Sequence, residues 1–152
     1  MCDHTIVEII NLTDGNIALP KYAKKGDSGM DVRANIKQNI IIMPGESKMI
    51  PTGIKVAIPE GYEIQVRPRS GLAYKKQVTV LNTPGTIDSG YRNEIGVILI
   101  NHNLESSFVV SPGDRIAQIV LAKVENIKWK NVTDLSSSSD RGEDGFGSSG
   151  VK

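Results

Sequence analysis

Polar and glycine-rich residues gather in several short stretches of this chain, and one of these stretches suits the binding of an anion such as phosphate. In PRSGLA, residues 68–73, Arg69 offers a planar set of hydrogen-bond donors, and Ser70 and Gly71 allow backbone amides to turn toward an anion. In SGMDVRA, residues 28–34, Asp31 lies within an otherwise strand-like segment. Taken alone, PRSGLA fits a simple turn as well as a phosphate-binding loop, and an isolated Asp31 fits a surface or turn carboxylate better than a functional one.

The richest polar stretch is NTPGTIDSGYRNEIG, residues 82–96. Asn82 and Asp88 lie on either side of a Pro-Gly turn, and Tyr91 follows the aspartate by three residues. A hairpin of this kind exposes backbone donors and acceptors at its tip, which suit the recognition of a flat ring by its edge. The plainer alternative is a surface hairpin with a solvated aspartate, and in isolation that alternative is favoured.

A fourth polar stretch, GDRIAQ, begins a run of buried-strand character at residues 113–118. It sets Asp114, Arg115 and Gln118 at the entry of that strand. We interpret Asp114 and Arg115 as structural residues, with an internal salt bridge that closes the turn. Gln118 is the candidate for a functional contact.

The fifth polar stretch, RGEDGFGSSG at residues 141–150, belongs to a tail whose composition is that of a flexible linker. From Ser136 to Gly150, ten of fifteen residues are Ser or Gly, a composition that buries little apolar surface. The tail nevertheless contains Arg141 and Phe146, one of only two phenylalanines in the chain. A terminus that merely frays does not account for these two residues.

The elements that must position these residues are short β-strands. Runs rich in β-branched residues alternate with Pro-Gly turns at MPGE, TPGT and SPGD, where Gly is expected to supply the positive φ of a type II turn. No clear helix is present among them. The pattern predicts an all-β fold, a jelly-roll-like barrel or sandwich of many short strands. The predicted strands lie in TIVEII, NIIIM, IKVAI, YEIQV, VTVL, EIGVILI, SFVV and RIAQIVLAKV.

The composition changes once along the chain, near Leu135. We therefore predict one β-domain at residues 1–135, followed by a flexible Ser/Gly-rich lid at residues 136–152. Within the domain, EIGVILI is apolar on both alternations. A strand of this kind is expected to be covered on both faces, by its own domain and by a partner chain in an oligomer.

Charge and soft-ligand content exclude several classes of function. The 152 residues include 18 basic and 17 acidic side chains, a formal charge of +1, which argues against electrostatic binding of nucleic acid. Cys2, His4 and His102 are the only soft donors, so any metal is expected to be a hard cation with oxygen ligands. No signal-peptide pattern or membrane-span length is present, and we expect a soluble, cytoplasmic protein.

The five stretches together resemble the motifs of the trimeric all-β dUTPases, the deoxyuridine triphosphate pyrophosphatases. They occur here in the family's order as SGMDVRA, RPRSGLA, GTIDSGYRNE, GDRIAQIVL and RGEDGFGSSG, and the resemblance runs from about Leu19 to Gly150. The chain departs from the family at Met30, Gln77, Asn93 and Asp144, none of which replaces a side chain expected to perform the chemistry. Asp144 adds a negative charge where the tail is expected to meet phosphates.

The resemblance implies hydrolysis of dUTP to dUMP and pyrophosphate, which keeps uracil out of DNA and supplies dUMP for thymidylate. Asp88 is implied as the general base that activates a water for attack on the α-phosphorus. Magnesium is implied as the cofactor, held by the substrate phosphates and by waters, one of which Asp31 steadies. The implied substrate-binding residues are Arg69, Ser70, Gly71, Asn82, Gly85, Thr86, Ile87, Asp88, Tyr91, Gln118, Arg141, Phe146, Gly147 and Ser148.

The resemblance also implies how the site selects its substrate and how it is assembled. The hairpin backbone is expected to read the uracil edge, and Tyr91 to pack on the deoxyribose and leave no room for a 2′-hydroxyl. The tail is expected to act as a lid, with Phe146 stacked on uracil and Arg141, Gly147 and Ser148 on the terminal phosphate. The implied assembly is a homotrimer with shared active sites, and no nucleic acid or membrane partner is expected.

Two other functions are compatible with the same residues. A dCTP deaminase shares this fold, but deamination needs a glutamate at the base, where this hairpin has Asp88. A non-catalytic nucleotide sensor that exposes a protein-binding surface on tail closure is the alternative from a different class.

Overall fold

The computed structural model of this protein describes residues 4–135 and 139–146. These residues contain eleven β-strands and one short helix, which confirms the predicted all-β class. The elements in chain order are β1 (Glu8–Asn11), β2 (Gly29–Arg33), β3 (Ile40–Ile42), β4 (Ser47–Pro51), β5 (Ile54–Ala57), β6 (Tyr62–Arg67), α1 (Ser70–Lys76), β7 (Val78–Val80), β8 (Gly85–Ile87), β9 (Gly96–Asn101), β10 (Phe108–Val110) and β11 (Arg115–Lys123).

The strands pair antiparallel in four sheets. The largest sheet has the order β2-β11-β6-β8, a second has the order β4-β9-β7, and β1-β5 and β10-β3 are two-stranded. Among the described residues these sheets do not join into a closed barrel. The last strand, β11, lies between β2 and β6, so strands far apart in sequence become neighbours in the sheet that carries four of the five polar stretches.

The core follows from the alternation of side chains along these strands. In β6, Ile64 and Val66 are buried while Gln65 is half-buried and Arg67 is exposed. The same alternation operates in the other strands, so one apolar cluster forms between the sheets. Its largest fully buried apolar members are Ile42, Ile50, Ile95, Leu99, Ile116, Val32, Val78, Val80, Val97 and Val110.

The helix α1 was not predicted from the sequence. It contains good helix formers, Leu72, Ala73, Lys75 and Lys76, and it ends at Gln77, whose left-handed backbone (φ +54°) donates its N–H to the Ala73 and Leu72 carbonyls. Seven residues are too few to display a helical hydrophobic period, and no residue of α1 is buried. Hydrophobic periodicity therefore does not reveal α1, although the helix propensities of its residues favour it.

Two of the three predicted Pro-Gly turns are confirmed. Gly45 and Gly113 have positive φ values, +76° and +81°. The third prediction is wrong, because Gly85 does not lie at a turn with positive φ but begins β8, where it pairs with Val66. The Thr83–Pro84 peptide that precedes it is cis.

The strand predicted from EIGVILI is β9, and its two faces are covered unequally. Val97, Leu99 and Asn101 are buried, whereas Ile98 and Ile100 on the other face are only half-buried. Ile98 pairs with Met49 of β4, which is 70% exposed. Within one chain this outer face of β9 thus remains apolar and partly exposed. Its coverage by a partner chain stays a prediction.

Beyond β11 the chain leaves the sheets. Val124 still donates its N–H to the Gly61 carbonyl at 2.9 Å, and the side chains of residues 125–135 are exposed. Residues 139–146 form short turns, with hydrogen bonds from the Gly142 N–H to the Ser139 carbonyl and from the Asp144 N–H to the Arg141 carbonyl. In the described part of the chain no helix is long and apolar enough to cross a membrane.

Candidate active site

Three strands of the largest sheet align the first, second and fourth polar stretches. Asp31 on β2 pairs with Gln118 on β11, and Gln118 pairs in turn with Arg67 at the end of β6. Since β6 continues into Pro68 and Arg69, one row across the sheet brings together residues separated by up to 87 positions (118 minus 31). The sequence predicted the residues, and strand pairing explains why they meet.

The carboxylate of Asp31 lies between two guanidinium groups. Its Oδ1 is 3.0 Å from Nε of Arg69, and its Oδ2 is 3.5 Å from Nη1 of Arg115. Arg69 also donates from Nη1 to the Arg115 carbonyl at 3.3 Å. One carboxylate thus faces two cations, so these three side chains carry a net charge of +1, which suits contact with an anion.

The predicted partner of Arg115 is wrong. Asp114 does close the turn, but it does so by accepting the Ser111 N–H at 2.8 Å rather than by pairing with Arg115. Arg115 instead reaches across to Asp31 on β2. This contact adds Arg115 to the candidate site, and the sequence interpretation missed it because the sequence showed the position of Arg115 at the start of β11 but not which strand lies beside it.

Gln118 is oriented by PRSGLA, the stretch predicted to bind phosphate. Its Nε2 donates to the Pro68 carbonyl at 2.9 Å, which ties β11 to the residue before Arg69. Gly29 lies directly against the same side chain, and a Cβ there would collide with Oε1 of Gln118. We call Asp31, Arg69, Arg115 and Gln118 the phosphate cluster.

An open cleft of about 330 Å³ adjoins the phosphate cluster. Asp31 and Gln118 line it together with Lys21 and Asp27, which add one basic and one acidic residue. Lys21 was not recognised from the sequence, because it lies ten residues before Asp31 in a stretch, KYAKK, whose lysines look like an ordinary solvated surface.

The stretch PRSGLA is the start of α1. Arg69 is the N-cap residue with extended backbone, and its carbonyl accepts the Ala73 N–H at 3.0 Å. The amides of Ser70 and Gly71 precede the first N–H that donates within the helix, that of Ala73, and both residues are exposed. Backbone donors are therefore available beside the Arg69 guanidinium, in a helical turn rather than in a loop.

The hairpin stretch begins as β8 at the free edge of the same sheet. Gly85 is buried against Val66, and a Cβ there would lie 3.3 Å from both Nδ2 of Asn82 and Cβ of Val66. Asn82, Thr86 and Asp88 are exposed and Ile87 is half-buried. The backbone between Gly85 and Asp88 is thus presented at an edge, where its polar groups can meet a ligand.

Tyr91 is held by two hydrogen bonds within its own loop. Its N–H donates to the Asp88 carbonyl at 3.0 Å, and its hydroxyl donates to the Glu94 carbonyl at 2.9 Å. The ring remains 39% exposed. An aromatic surface with a fixed direction therefore lies next to Asp88.

Asp88 lies far from the phosphate cluster of its own chain. Asp88 follows Ile87, which pairs with Ile64 of β6. Along the strand direction, Asp88 is therefore displaced by four residues from Arg67. Across the sheet, its strand is three positions away from β2, which carries Asp31. At about 3.3 Å per residue and about 4.8 Å per strand, an untwisted sheet of this register would separate the Cα atoms of the two aspartates by roughly 19 Å. Strand pairing joins three of the polar stretches and keeps the catalytic candidate away from them.

No hydrogen bond or salt bridge joins the described tail residues, 139–146, to a strand. Arg141 donates from Nε to the Asp144 carbonyl at 3.0 Å, and the Phe146 side chain is fully exposed. Gly147 and Ser148, also predicted to bind substrate, lie outside the described residues. The tail residues and the phosphate cluster are therefore not brought together by the structure of one chain.

Potential metal ligands are sparse near this site. Within residues 4–135 and 139–146, no group of three or more His, Cys, Asp or Glu side chains is arranged to hold a metal ion. Both oxygens of Asp31 already face arginines, although the side chain is 34% exposed. It has room to accept a hydrogen bond from a water, which is the kind of contact that a hydrated hard cation makes.

Comparison with known proteins agrees with this geometry. The dUTPase family model matches residues 15–150. A deoxyuridine 5'-triphosphate nucleotidohydrolase of Fusobacterium nucleatum is 52% identical over 144 residues, covering 95% of this chain and 97% of that protein. One from Chlamydia muridarum is 56% identical over 133 residues, covering 88% and 91%.

A solved structure gives the same result for the fold. The dUTPase of Staphylococcus bacteriophage 80alpha with dUPNHPP superposes with a TM-score of 0.80 at 28% identity, covering 96% of this chain and 99% of that one. The predicted family and the predicted enzyme class, dUTP diphosphatase, are confirmed: the chain belongs to the dUTPase family.

Proposed function

We propose that this chain hydrolyses dUTP to dUMP and pyrophosphate with Asp88 as general base, in active sites shared between three copies of the chain. The single observation that carries the proposal is the phosphate cluster. Two arginines organised by one aspartate stand beside free backbone amides and a glutamine. Membership of the dUTPase family supplies the substrate.

The phosphate cluster binds the triphosphate. Arg69 presents its guanidinium beside the exposed amides of Ser70 and Gly71, and Gln118 adds a side-chain amide from the next strand. Charge-assisted hydrogen bonds to phosphate are about twice as strong as neutral ones. The cluster therefore neutralises charge and holds the reacting groups in line, which is most of what phosphoryl transfer demands.

Magnesium fits this arrangement as a cation carried by the substrate. Asp31 is the one side chain of the cluster that would hold it, through a water, because its carboxylate is otherwise occupied by Arg69 and Arg115. When bound, the ion neutralises charge on the phosphates. Asp31 also keeps both arginines oriented, whether or not it accepts a bond from such a water.

Asp88 receives the proton from the attacking water. It is exposed at the end of β8, a strand whose pairing with β6 fixes the start of the hairpin. A base in this position needs to lie within hydrogen-bond reach of a water on the side of the α-phosphorus away from the leaving pyrophosphate. Removing the proton makes that water a stronger nucleophile as the bond to pyrophosphate breaks.

The hairpin selects uracil and deoxyribose. Asn82 and the backbone of residues 85–88 pair with the uracil edge, and cytosine would leave buried polar groups unpaired. Tyr91 covers the sugar and excludes a 2′-hydroxyl. The fixed direction of its ring, through the hydroxyl bond to the Glu94 carbonyl, supports this assignment.

The tail closes over the bound nucleotide. Phe146 stacks on uracil, while Arg141, Gly147 and Ser148 bind the terminal phosphate. Stacking contributes about 1 to 3 kcal/mol, and ordering each flexible residue costs on the order of 1 kcal/mol. Ordering ten such residues costs about 10 kcal/mol, more than stacking alone supplies, so closure depends on the added charge-assisted contacts with the full triphosphate. The predicted division into a β-domain at 1–135 and a lid at 136–152 is part of this proposal.

The distance between the two aspartates supports shared sites. A single nucleotide cannot place its α-phosphorus next to Asp88 while a cation on its phosphates lies next to Asp31 of the same chain, roughly 19 Å away by strand geometry. The partly open apolar face with Met49, Ile98 and Leu81 offers a surface for a second copy. A homotrimer with hairpin, phosphate cluster and tail from different chains satisfies both observations.

The cellular role follows from the reaction. Hydrolysis of dUTP limits the incorporation of uracil into DNA and provides dUMP for dTMP synthesis. Such a role places the enzyme with the nucleotide pool, in the cytoplasm.

Pyrophosphate release from dUTP, dCTP, dTTP and UTP, with magnesium and with a chelator, tests the proposal. We expect strong turnover of dUTP alone, weakened by the chelator. Comparable turnover of all four nucleotides would contradict the hairpin assignment. Ammonia release from dCTP would instead identify a deaminase, and tight dUTP binding without turnover a nucleotide sensor.

Refolding of mixed chains tests the shared site separately. Chains with Asp88→Asn keep an intact tail, and chains truncated after Asp140 keep an intact hairpin, so neither pure trimer should be active. If the two are denatured and refolded one to one, about a quarter of sites should be complete under random assembly. Properly mixed trimers without recovered activity would contradict shared sites.

A further inference from the structure

The side chain of Glu94 ties the loop at residues 88–94 to the body of the protein. Its Oε1 accepts the Gly53 N–H at 2.7 Å, across 41 positions of sequence. Glu94 is half-buried, so this hydrogen bond is partly shielded from water. A hydrogen bond between a carboxylate and a backbone amide is among the stronger polar contacts in proteins.

The partner of Glu94 is a rigid point of the fold. Gly53 is buried with φ +73°, its carbonyl accepts the Leu12 N–H at 2.7 Å, and a Cβ there would collide with Thr13. The preceding residue, Thr52, donates its buried hydroxyl to the Ile95 carbonyl at 2.6 Å. The connection between β4 and β5 therefore has little freedom to move, and it can serve as a reference for the loop.

The main chain of Glu94 holds the sugar-facing ring. The Tyr91 hydroxyl donates to the Glu94 carbonyl at 2.9 Å. The same residue thus binds the protein body through its side chain and the Tyr91 ring through its carbonyl. Asp88 has an independent support, because β8 immediately before it pairs with β6.

We propose that Glu94 is a positioning residue for sugar selection, acting through Tyr91. The inference rests on the proposed role of Tyr91 in excluding a 2′-hydroxyl. Without the carboxylate, the loop loses its hold on Gly53, the Tyr91 ring moves away from the 2′ carbon of the nucleotide, and UTP gains access. Asp88 stays in place on β8, so hydrolysis of dUTP is affected less than its distinction from UTP.

The test compares kcat/KM for dUTP and for UTP in wild type, Glu94→Ala and Glu94→Gln. We expect the dUTP-to-UTP ratio to fall by about tenfold or more in Glu94→Ala, with kcat for dUTP within about threefold of wild type. Glu94→Gln keeps an oxygen acceptor for the Gly53 N–H and should restore most of the ratio. Glu60→Ala, which removes an exposed glutamate between β5 and β6, is the matched control and should leave the ratio unchanged.

Each outcome separates the inference from the proposed function. Wild type that fails to hydrolyse dUTP, or that accepts UTP equally, refutes the proposed function whatever the variants do. With selective wild type, an unchanged ratio in folded Glu94→Ala overturns the inference, as does a Glu94→Gln that is no better than Glu94→Ala. If Glu94→Ala does not fold, Tyr91→Phe cuts the other end of the same connection, and an unchanged ratio in that variant overturns the inference equally.

Discussion

Arg69 and Asp31 form an ion pair of 3.0 Å between Nε and Oδ1, although 38 residues separate them in sequence. Their side chains are 26% and 34% exposed, so solvent screens the pair and its contribution to folding is small, about 1 kcal/mol or less. Its main effect is on the orientation of the Arg69 side chain. The pair fixes where the Arg69 guanidinium points, beside the first amides of α1.

Asp31→Asn should reduce activity while leaving the fold almost as stable. The substitution removes the charge that orients Arg69 and Arg115 and weakens the contact to a cation-bound water. Loss of hydrogen bonds to a charged group, about 1.5 to 3 kcal/mol, corresponds to a decrease of roughly 10- to 150-fold in kcat/KM for dUTP. Steady-state kinetics over a series of magnesium concentrations measures this decrease in kcat/KM. A clear fall in the thermal midpoint with little loss of activity would argue against an orienting role.

Glu46→Gln removes a surface ion pair outside the phosphate cluster and should lower stability at neutral pH while leaving stability in acid almost unchanged. The Met43 N–H, which Glu46 accepts at 2.8 Å, and Lys48 lower the pKa of the Glu46 carboxyl. A lowered folded-state pKa adds stability above the unfolded-state pKa, and that stability is lost as pH falls through the folded-state value. Denaturation at pH 7 and at pH 3 should therefore show that the free energy of unfolding depends less on pH in the variant than in wild type. Turnover of dUTP should be the same in both.

Asp88→Asn should abolish most turnover without abolishing binding. The amide keeps the shape and the exposed position of the side chain but cannot take the proton from water. We expect a decrease of about 10² to 10⁴ in kcat, with an unchanged dissociation constant for a non-hydrolysable dUTP analogue measured by calorimetry. Asp14→Asn, an exposed aspartate whose positive φ (+50°) suits asparagine, is the control. Turnover near the wild-type rate would remove Asp88 from its assigned role.

Gly29→Ala should weaken dUTP binding by displacing Gln118. The added methyl group would collide with Oε1 of Gln118 and break the bond from its Nε2 to the Pro68 carbonyl. We expect KM to rise by about tenfold, the loss of roughly one hydrogen bond. In the Gln118→Ala background the same methyl group has room, so a double-mutant cycle should give strong non-additivity. Additive effects would mean that Gly29 acts through another contact.

Phe146→Ala should weaken nucleotide binding and leave the thermal midpoint unchanged. The side chain is fully exposed in the nucleotide-free chain, so its removal costs nothing in the folded protein. Loss of stacking, about 1 to 3 kcal/mol, predicts a KM for dUTP raised about 5- to 150-fold. Leu104→Ala, 91% exposed in the β9–β10 connection, is the control. Equal effects of the two substitutions would contradict the lid.

The sequence predicted most strands and the residues of the phosphate cluster except Arg115, but not how they meet. Residue types in short motifs report local chemistry, and Asp31, Arg69 and Gln118 were recognisable in this way. The partner of Arg115 depends on β2 and β11 being neighbours, which is a property of strand order rather than of either segment. The pattern also missed β4, whose SKMIP mixes polar and apolar residues and ends in proline.

Strand order also sets when the phosphate cluster can form. Because β11 is the only strand that pairs with both β2 and β6 in the described sheets, Asp31 and Arg69 have no common neighbour until residues 115–123 have been synthesised. About four-fifths of the chain must therefore be synthesised before the largest sheet can join β2 to β6. Such nonlocal pairing is slow to form, so this sheet is completed only after the last strand emerges, and a chain cut before β11 should keep its β6-β8 pair but leave β2 unjoined to it.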